Sequence, residues 1–138
     1  MTTPTFVDTV AALRDVLLDR MAGSSIEAVP VRTKHKEGET PPFILLGEGG
    51  SIRLPSVPLY APARVQLESW GLDEDQAVEI YLTAAQLLHR LGPVVINGVG
   101  IFRIFEETGL QPPFVDPDTG WWRAFGVFDL TMVDQILA

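Results

Sequence analysis

Arg64 to Leu91 reads RVQLESWGLDEDQAVEIYLTAAQLLHRL, and its two halves follow different periods. From Arg64 to Trp70 the side chains alternate: Val65, Leu67 and Ser69 on one side, Arg64, Gln66, Glu68 and Trp70 on the other. That is the pattern of a half-buried strand, closed by Gly71. From Asp73 to Leu91 the period becomes helical. Asp73 with Gln76 three residues later makes a capping box, and Asp73, Glu74 and Asp75 suit the positive end of the helix dipole. Asp75, Glu79, Thr83, Gln86 and Arg90 form one narrow polar stripe, and nearly every other position is apolar. An apolar arc that wide exceeds what one sheet face covers, so a second partner surface is expected, with Ile80 and Leu87 among its contacts. Gly92-Pro93 stops the helix.

Upstream, Phe6, Val10, Leu13, Leu17 and Met21 make one stripe of a first helix, with Thr5 as N-cap and Gly23 as stop. Ile26 to Thr33 and Phe43 to Leu46 read as strands, separated by a charged, aperiodic loop at about 34–41. Residues 47–62 are rich in Gly and Pro and form a second irregular segment, long for a connection inside a small domain. It carries Ile52, Leu54, Val57, Leu59 and Tyr60, more large apolar side chains than a solvated linker holds. Two readings stand: the segment covers an edge strand of its own sheet, or it is an arm that orders against a neighbour.

Downstream, Val94–Ile96 and Val99–Glu106 flank Asn97-Gly98, the preferred two-residue hairpin turn. A Pro-rich loop with Gln111-Pro112-Pro113 and Asp116-Pro117-Asp118-Thr119-Gly120 follows. Trp121 to Val133 is a long last strand with Trp122, Ala124, Gly126, Phe128, Leu130 and Met132 on one face. The expected fold is α+β: a single domain over residues 1–138, two helices packed on a mostly antiparallel sheet.

The 138 residues carry 46 % apolar and 20 % charged side chains, a globular balance. A mean hydropathy of +0.20 is high for so small a domain and points to a subunit interface. Net charge is −8, and the basic residues are scattered, which argues against gripping nucleic acid. With no cysteine there is no disulfide, thiol nucleophile or Cys-based zinc site. No signal-peptide pattern opens the chain and no run of about 18 apolar residues occurs, so a cytoplasmic protein without membrane association is expected.

Catalytic groups are hard to assemble. His35 sits in a charged loop and His89 near a helix end, neither beside a partner that would make a triad. Asp116 and Asp118 flank a proline turn and offer too few oxygens for a cation. Gly47-Glu48-Gly49-Gly50 lacks the Lys and Ser/Thr of a phosphate loop. Trp70, Trp121 and Trp122 stand in an acidic chain with no run of cations around them and read as core or interface anchors, not base-stacking platforms. We expect no catalytic residue, cofactor or metal.

From about Leu59 to Val133 the order of motifs is specific. It runs Arg64 to Gly71, an acid-capped helix, a strand ending in Glu106-Glu107-Thr108-Gly109, a Pro-rich turn, then Asp116-Pro117-Asp118-Thr119-Gly120-Trp121 leading Arg123 into a long strand. This pattern resembles the tail terminator, or tail-completion, proteins of phages with long non-contractile tails and of gene transfer agents. The first third matches only in element order. The resemblance implies a non-enzymatic virion protein at the tail–neck junction, assembled in the host cytoplasm. It implies a homo-oligomer, usually a hexameric ring, that caps the tail tube, stops its polymerisation and meets a head-completion or neck protein while DNA passes through without specific binding. Ile52, Leu54, Leu59, Tyr60, Trp70, Ile80, Leu87, Trp121 and Arg123 are the candidate subunit or tube contacts. A head-closure or head–tail connector protein shares most of this description; a small acidic enzyme or ligand-binding domain is the alternative of another class.

Overall fold

A computed structural model describes residues 9–48, 60–91, 94–96 and 99–133. Two helices, α1 (Thr9–Met21) and α2 (Glu74–His89), pack on one face of a sheet. The strands are β1 (Val31–Arg32), β2 (Phe43–Glu48), β3 (Tyr60–Gly71), β4 (Val94–Ile96), β5 (Val99–Thr108), β6 (Phe114–Val115) and β7 (Trp122–Val133). Their spatial order is β1-β2-β3-β7-β5-β4, with β6 pairing β7 beyond the end of β5. Every pairing is antiparallel except β1 with β2. The fold is thus α+β, two helices on a mostly antiparallel sheet.

The centre of the sheet is the β3–β7 ladder. Both strands are twelve residues long and pair from Tyr60↔Val133 to Gly71↔Trp122. Alternation sorts their side chains as the sequence demands. Val65, Leu67 and Ser69 of β3 and Ala124, Phe128 and Leu130 of β7 turn toward the helices and are buried there. From the helices come Leu13, Val16, Leu17 and Met21 of α1 and Ala77, Tyr81, Ala84 and Leu88 of α2.

The wide apolar arc of α2 has its second surface within the chain. α1 packs against α2 while α2 also lies on β3, β7 and β5. Ile80 is 5 % exposed and belongs to this core; Leu87 is half-buried against it. Ile80 is therefore no free contact surface, and α1 accounts for much of the arc's width, while Leu82 of the same helix stays 50 % exposed.

The cap of α2 forms as its sequence directs. Asp73 Oδ1 accepts from the Gln76 amide at 2.8 Å, and Gln76 Oε1 accepts from the Leu72 amide at 2.8 Å. Gly71 makes the tight entry possible. A Cβ there would sit 2.6 Å from the Ala77 nitrogen and 3.0 Å from the Asp73 carbonyl oxygen, both backbone atoms.

Three expectations change. The strand expected over Ile26 to Thr33 shrinks to Val31–Arg32. Ser24 diverts the rest into turns: its hydroxyl donates to the Met21 carbonyl at 2.7 Å and accepts from the Ile26 amide at 3.3 Å, the local competition that serine offers the backbone. The turns still bury Ile26. Second, the 34–41 loop is tied down. Arg32 reaches Glu39 Oε2 with Nε at 3.1 Å and Nη2 at 3.0 Å, and Pro41 is buried. Third, β2 runs on to Glu48 and β3 begins at Tyr60, so both ends of the segment expected to be irregular at 47–62 are strand; 49–59 lies outside the described residues, together with Thr5, Phe6 and Asn97-Gly98. The register Ile96↔Val99 is nonetheless that of a two-residue hairpin.

Candidate functional site

The sheet face turned away from the helices carries side chains from β2, β3 and β7, and at the Gly71–Trp122 end they meet in an aromatic cluster. Register causes the meeting. Phe43 stands opposite Trp70, Trp70 opposite Arg123, and Arg123 opposite Phe114, so four strands place these residues in one row. Phe43 and Trp70 stack with centroids 5.9 Å apart and planes at 21°. The His35 ring meets both edge-on, at 6.0 and 5.9 Å, and Trp121 meets Phe43 edge-on at 6.5 Å.

Arg123 is the hub. Its guanidinium carbon lies 4.7 Å from the Phe114 ring centre, 4.9 Å from Phe125 and 5.9 Å from Trp70, within cation–π range of all three. Nη1 pairs with Glu68 Oε1 at 3.4 Å, and the Trp70 indole N–H donates to Glu68 Oε2 at 3.3 Å. Arg123 Nε is buried with no hydrogen-bond partner among the described residues. A planar cation among rings, fixed by one carboxylate, suits an arginine and would not suit lysine. The Glu68 carboxylate is taken up by Arg123 and Trp70, and the His35 ring packs edge-on against Phe43 and Trp70, so the cluster is built as a rigid, partly exposed anchor. Phe114 and Val115 project at its rim, 41 % and 44 % exposed.

A smaller polar cluster joins α2 to β5. The β5 ladder shifts register between Ile101 and Arg103 and again between Glu106 and Thr108, so Phe102 and Glu107 are extra residues and Glu106 faces α2. The Tyr81 hydroxyl donates to Glu106 Oε2 at 2.5 Å, and His89 Nε2 lies 3.5 Å from Glu106 Oε1. Burial first, then the hydrogen bond to Glu106 and its negative charge, push the Tyr81 phenol far above its ordinary value. Tyr81 therefore stays protonated and serves as a fixed donor, the reverse of what a catalytic base needs.

The Asp116–Gly120 loop spends its carboxylate on itself. Asp116 Oδ1 accepts from the Asp118 amide at 3.1 Å and Oδ2 from the Thr119 hydroxyl at 3.0 Å, while Gly120, at φ 75°, closes back on the Asp116 carbonyl at 2.8 Å. Among the described residues no group of three or more His, Cys, Asp or Glu side chains could share a metal ion. No helix among them is long and apolar enough to cross a membrane.

Of the contacts expected from sequence, Trp70, Trp121 and Arg123 come together in the aromatic cluster. Ile80 and Leu87 go to the core side. Tyr60 opens β3 opposite Val133, and Ile52, Leu54 and Leu59 lie outside the described residues. Sequence reasoning missed Phe43, Phe114, Phe125 and Glu68 as members of the cluster. Phe125 sits at an odd position of a strand whose even positions are apolar, which was the signal that the second face also carries something. Comparison of the chain with protein-family models and with curated proteins gives no match.

Proposed function

We propose that this chain is a structural subunit of a phage-like particle: a tail terminator that assembles as a ring on the last layer of the tail tube, stops its polymerisation and joins the tail to the head. It acts by binding, with no catalytic step, and its partners are further copies of itself, the tail tube protein and a head-completion or neck protein. DNA threads the ring without being held. Its place is the tail–neck junction of the virion.

One observation carries the reading. Of the features that carry the resemblance, the first and last, Arg64 to Gly71 and Asp116 to Arg123, are far apart in sequence yet meet in the fold: Trp70 and Gly71 pair with Arg123 and Trp122, and Trp70, Arg123 and Trp121 share a cluster. A motif whose distant parts converge is a unit of design, and this one converges on a sheet face left open by the helices. Phe43 and Trp70 are buried in the cluster while Arg123, Trp121 and Phe114 keep exposed surface, and packed aromatic residues with arginine are the composition of contact hot spots. Fold alone does not give function, so the test is a particle phenotype. Deleting the gene should leave filled heads unattached and tubes of irregular excess length. Joined, normal-length tails in the deletion strain would end the proposal, and tails of normal length left unjoined would move the chain to a neighbouring neck component.

A further inference from the structure

Leu82 stands 50 % exposed midway along α2. With Val78 one turn earlier it forms an apolar ridge in a shallow groove bordered by Asp75, Glu79, Thr83 and Gln86. This groove lies on the side of α2 turned away from the sheet, and the core uses other positions of the helix. A leucine here adds little helix propensity over the charged residues around it, and left in water it forgoes the burial that leucine normally supplies. Asp75 and Glu79 have no cation within ion-pair distance among the described residues.

The matching cations are elsewhere in the same chain. Arg14, Arg20, Arg32, Arg64 and Arg123 each lie within 4.0 Å of a carboxylate oxygen. Among the described residues Arg90, at the end of α2 itself, and Lys34 and Lys36, the chain's only lysines, do not, and all three are exposed. The two lysines flank His35, whose ring rests on Phe43 and Trp70, and the Arg32–Glu39 pair holds the base of their loop. The loop tip is thereby fixed on the open face of the sheet. The basic tip and the acidic groove lie on opposite sides of the domain, so one chain cannot bring them together. Joined between copies, two unlike patches repeat in the same sense around an assembly, which closes into a ring where the rotation allows.

We propose that the Asp75–Val78–Glu79–Leu82 groove of one subunit receives the Lys34–Lys36 loop of the next copy of this chain. This rests on the ring assembly of the preceding section and names its contact. The lysines steer and register the contact, and Leu82 with Val78 gives it an apolar centre that excludes water.

The test is a reciprocal charge reversal read by sedimentation velocity at about 0.15 M salt, where screening acts beyond about 8 Å but not across a docked pair. Two double variants are made, D75K/E79K and K34E/K36E, with circular dichroism as the control for fold. Each variant alone faces like charge at every junction, and its assembly should weaken by roughly tenfold or more. Mixed in equal amounts they alternate around an even-numbered ring, every junction again pairs opposite charges, and assembly should return. The chain with all four changes should assemble as well, without a partner. Folded double variants that assemble like the parent, or a mixture that stays apart, would overturn the contact and leave tail termination standing. A parent chain that stays monomeric at every concentration also overturns this contact, and the deletion phenotype then judges termination separately.

Discussion

Replacing Tyr81 with Phe removes one atom from a buried site, and two separate consequences can be worked out. The hydroxyl donates to Glu106, whose side chain is 22 % exposed and has His89 at its other oxygen. A hydrogen bond to a charged group contributes about 1.5–3 kcal/mol. Glu106 can recover water through its exposed edge, so the loss at neutral pH should fall near the lower limit, about 1–2 kcal/mol. With a urea dependence of roughly 2 kcal/mol per molar, the unfolding midpoint drops by about 0.5–1 M. The second consequence is in alkali. In the unfolded chain the phenol loses its proton near pH 10, while in the folded protein it is held well above that. The folded state then binds more protons than the unfolded one. The stabilisation is complete below about pH 10 and is lost as pH rises from there toward the folded value, at about 1.4 kcal/mol per pH unit. Tyr60, the only other tyrosine, and both lysines are common to parent and variant. Urea unfolding of both proteins from pH 8 to 11 isolates Tyr81. The parent should lose stability more steeply than Tyr81→Phe above pH 10, so that the curves approach. Parallel curves across that range would refute the account of a buried, Glu106-bound phenol.

Three further outcomes follow from other sites. Gly71→Ala should cost about 1–3 kcal/mol in the same unfolding assay, because its Cβ meets backbone of α2 that cannot rotate away. Arg123→Lys keeps the charge facing Glu68 but loses the planar stack on Phe114 and Phe125; a loss of about 1 kcal/mol is expected, with a changed tryptophan emission from the neighbouring Trp70, and no change in either would show the stacking to be incidental. Every subunit added to a ring brings a formal charge of −8, so no duplex DNA binding is expected at about 0.15 M salt in a mobility or anisotropy assay, and a salt-sensitive complex would contradict passive threading.

What could be read from the sequence was what neighbours in sequence decide. The Asp73–Gln76 cap, the four-residue steps of α1 and the alternation of β3 and β7 depend on local geometry, and all appear in place. What needed the structure was what distant residues decide. The apolar arc of α2 looked too wide for a monomer because nothing in the sequence says that α1 leans on α2 as well as on the sheet. Ile80 was therefore assigned to a neighbour when it fills the chain's own core. Trp70 and Arg123 were each singled out, but only the register that sets one opposite the other, with Phe43 and Phe114 at the ends of the row, turns them into a cluster. His89 read only as a residue near a helix end and Glu106 as one near a strand end; a bulge at Glu107 and the turn of α2 bring them within 3.5 Å.

The β3–β7 ladder has a mechanical consequence. Tyr60 and Val133 lie at one end of it and Gly71 and Trp122 at the other. Traction applied to both strands at a single end would peel the ladder rung by rung, each hydrogen bond failing alone. Traction applied between opposite ends loads every rung at once in shear. At the Gly71–Trp122 end the stacked Phe43 and Trp70, with Arg123 wedged between rings, rivet four strands together. Peeling begun at that end must first part the rings, so the first rungs there should give way only together with the cluster.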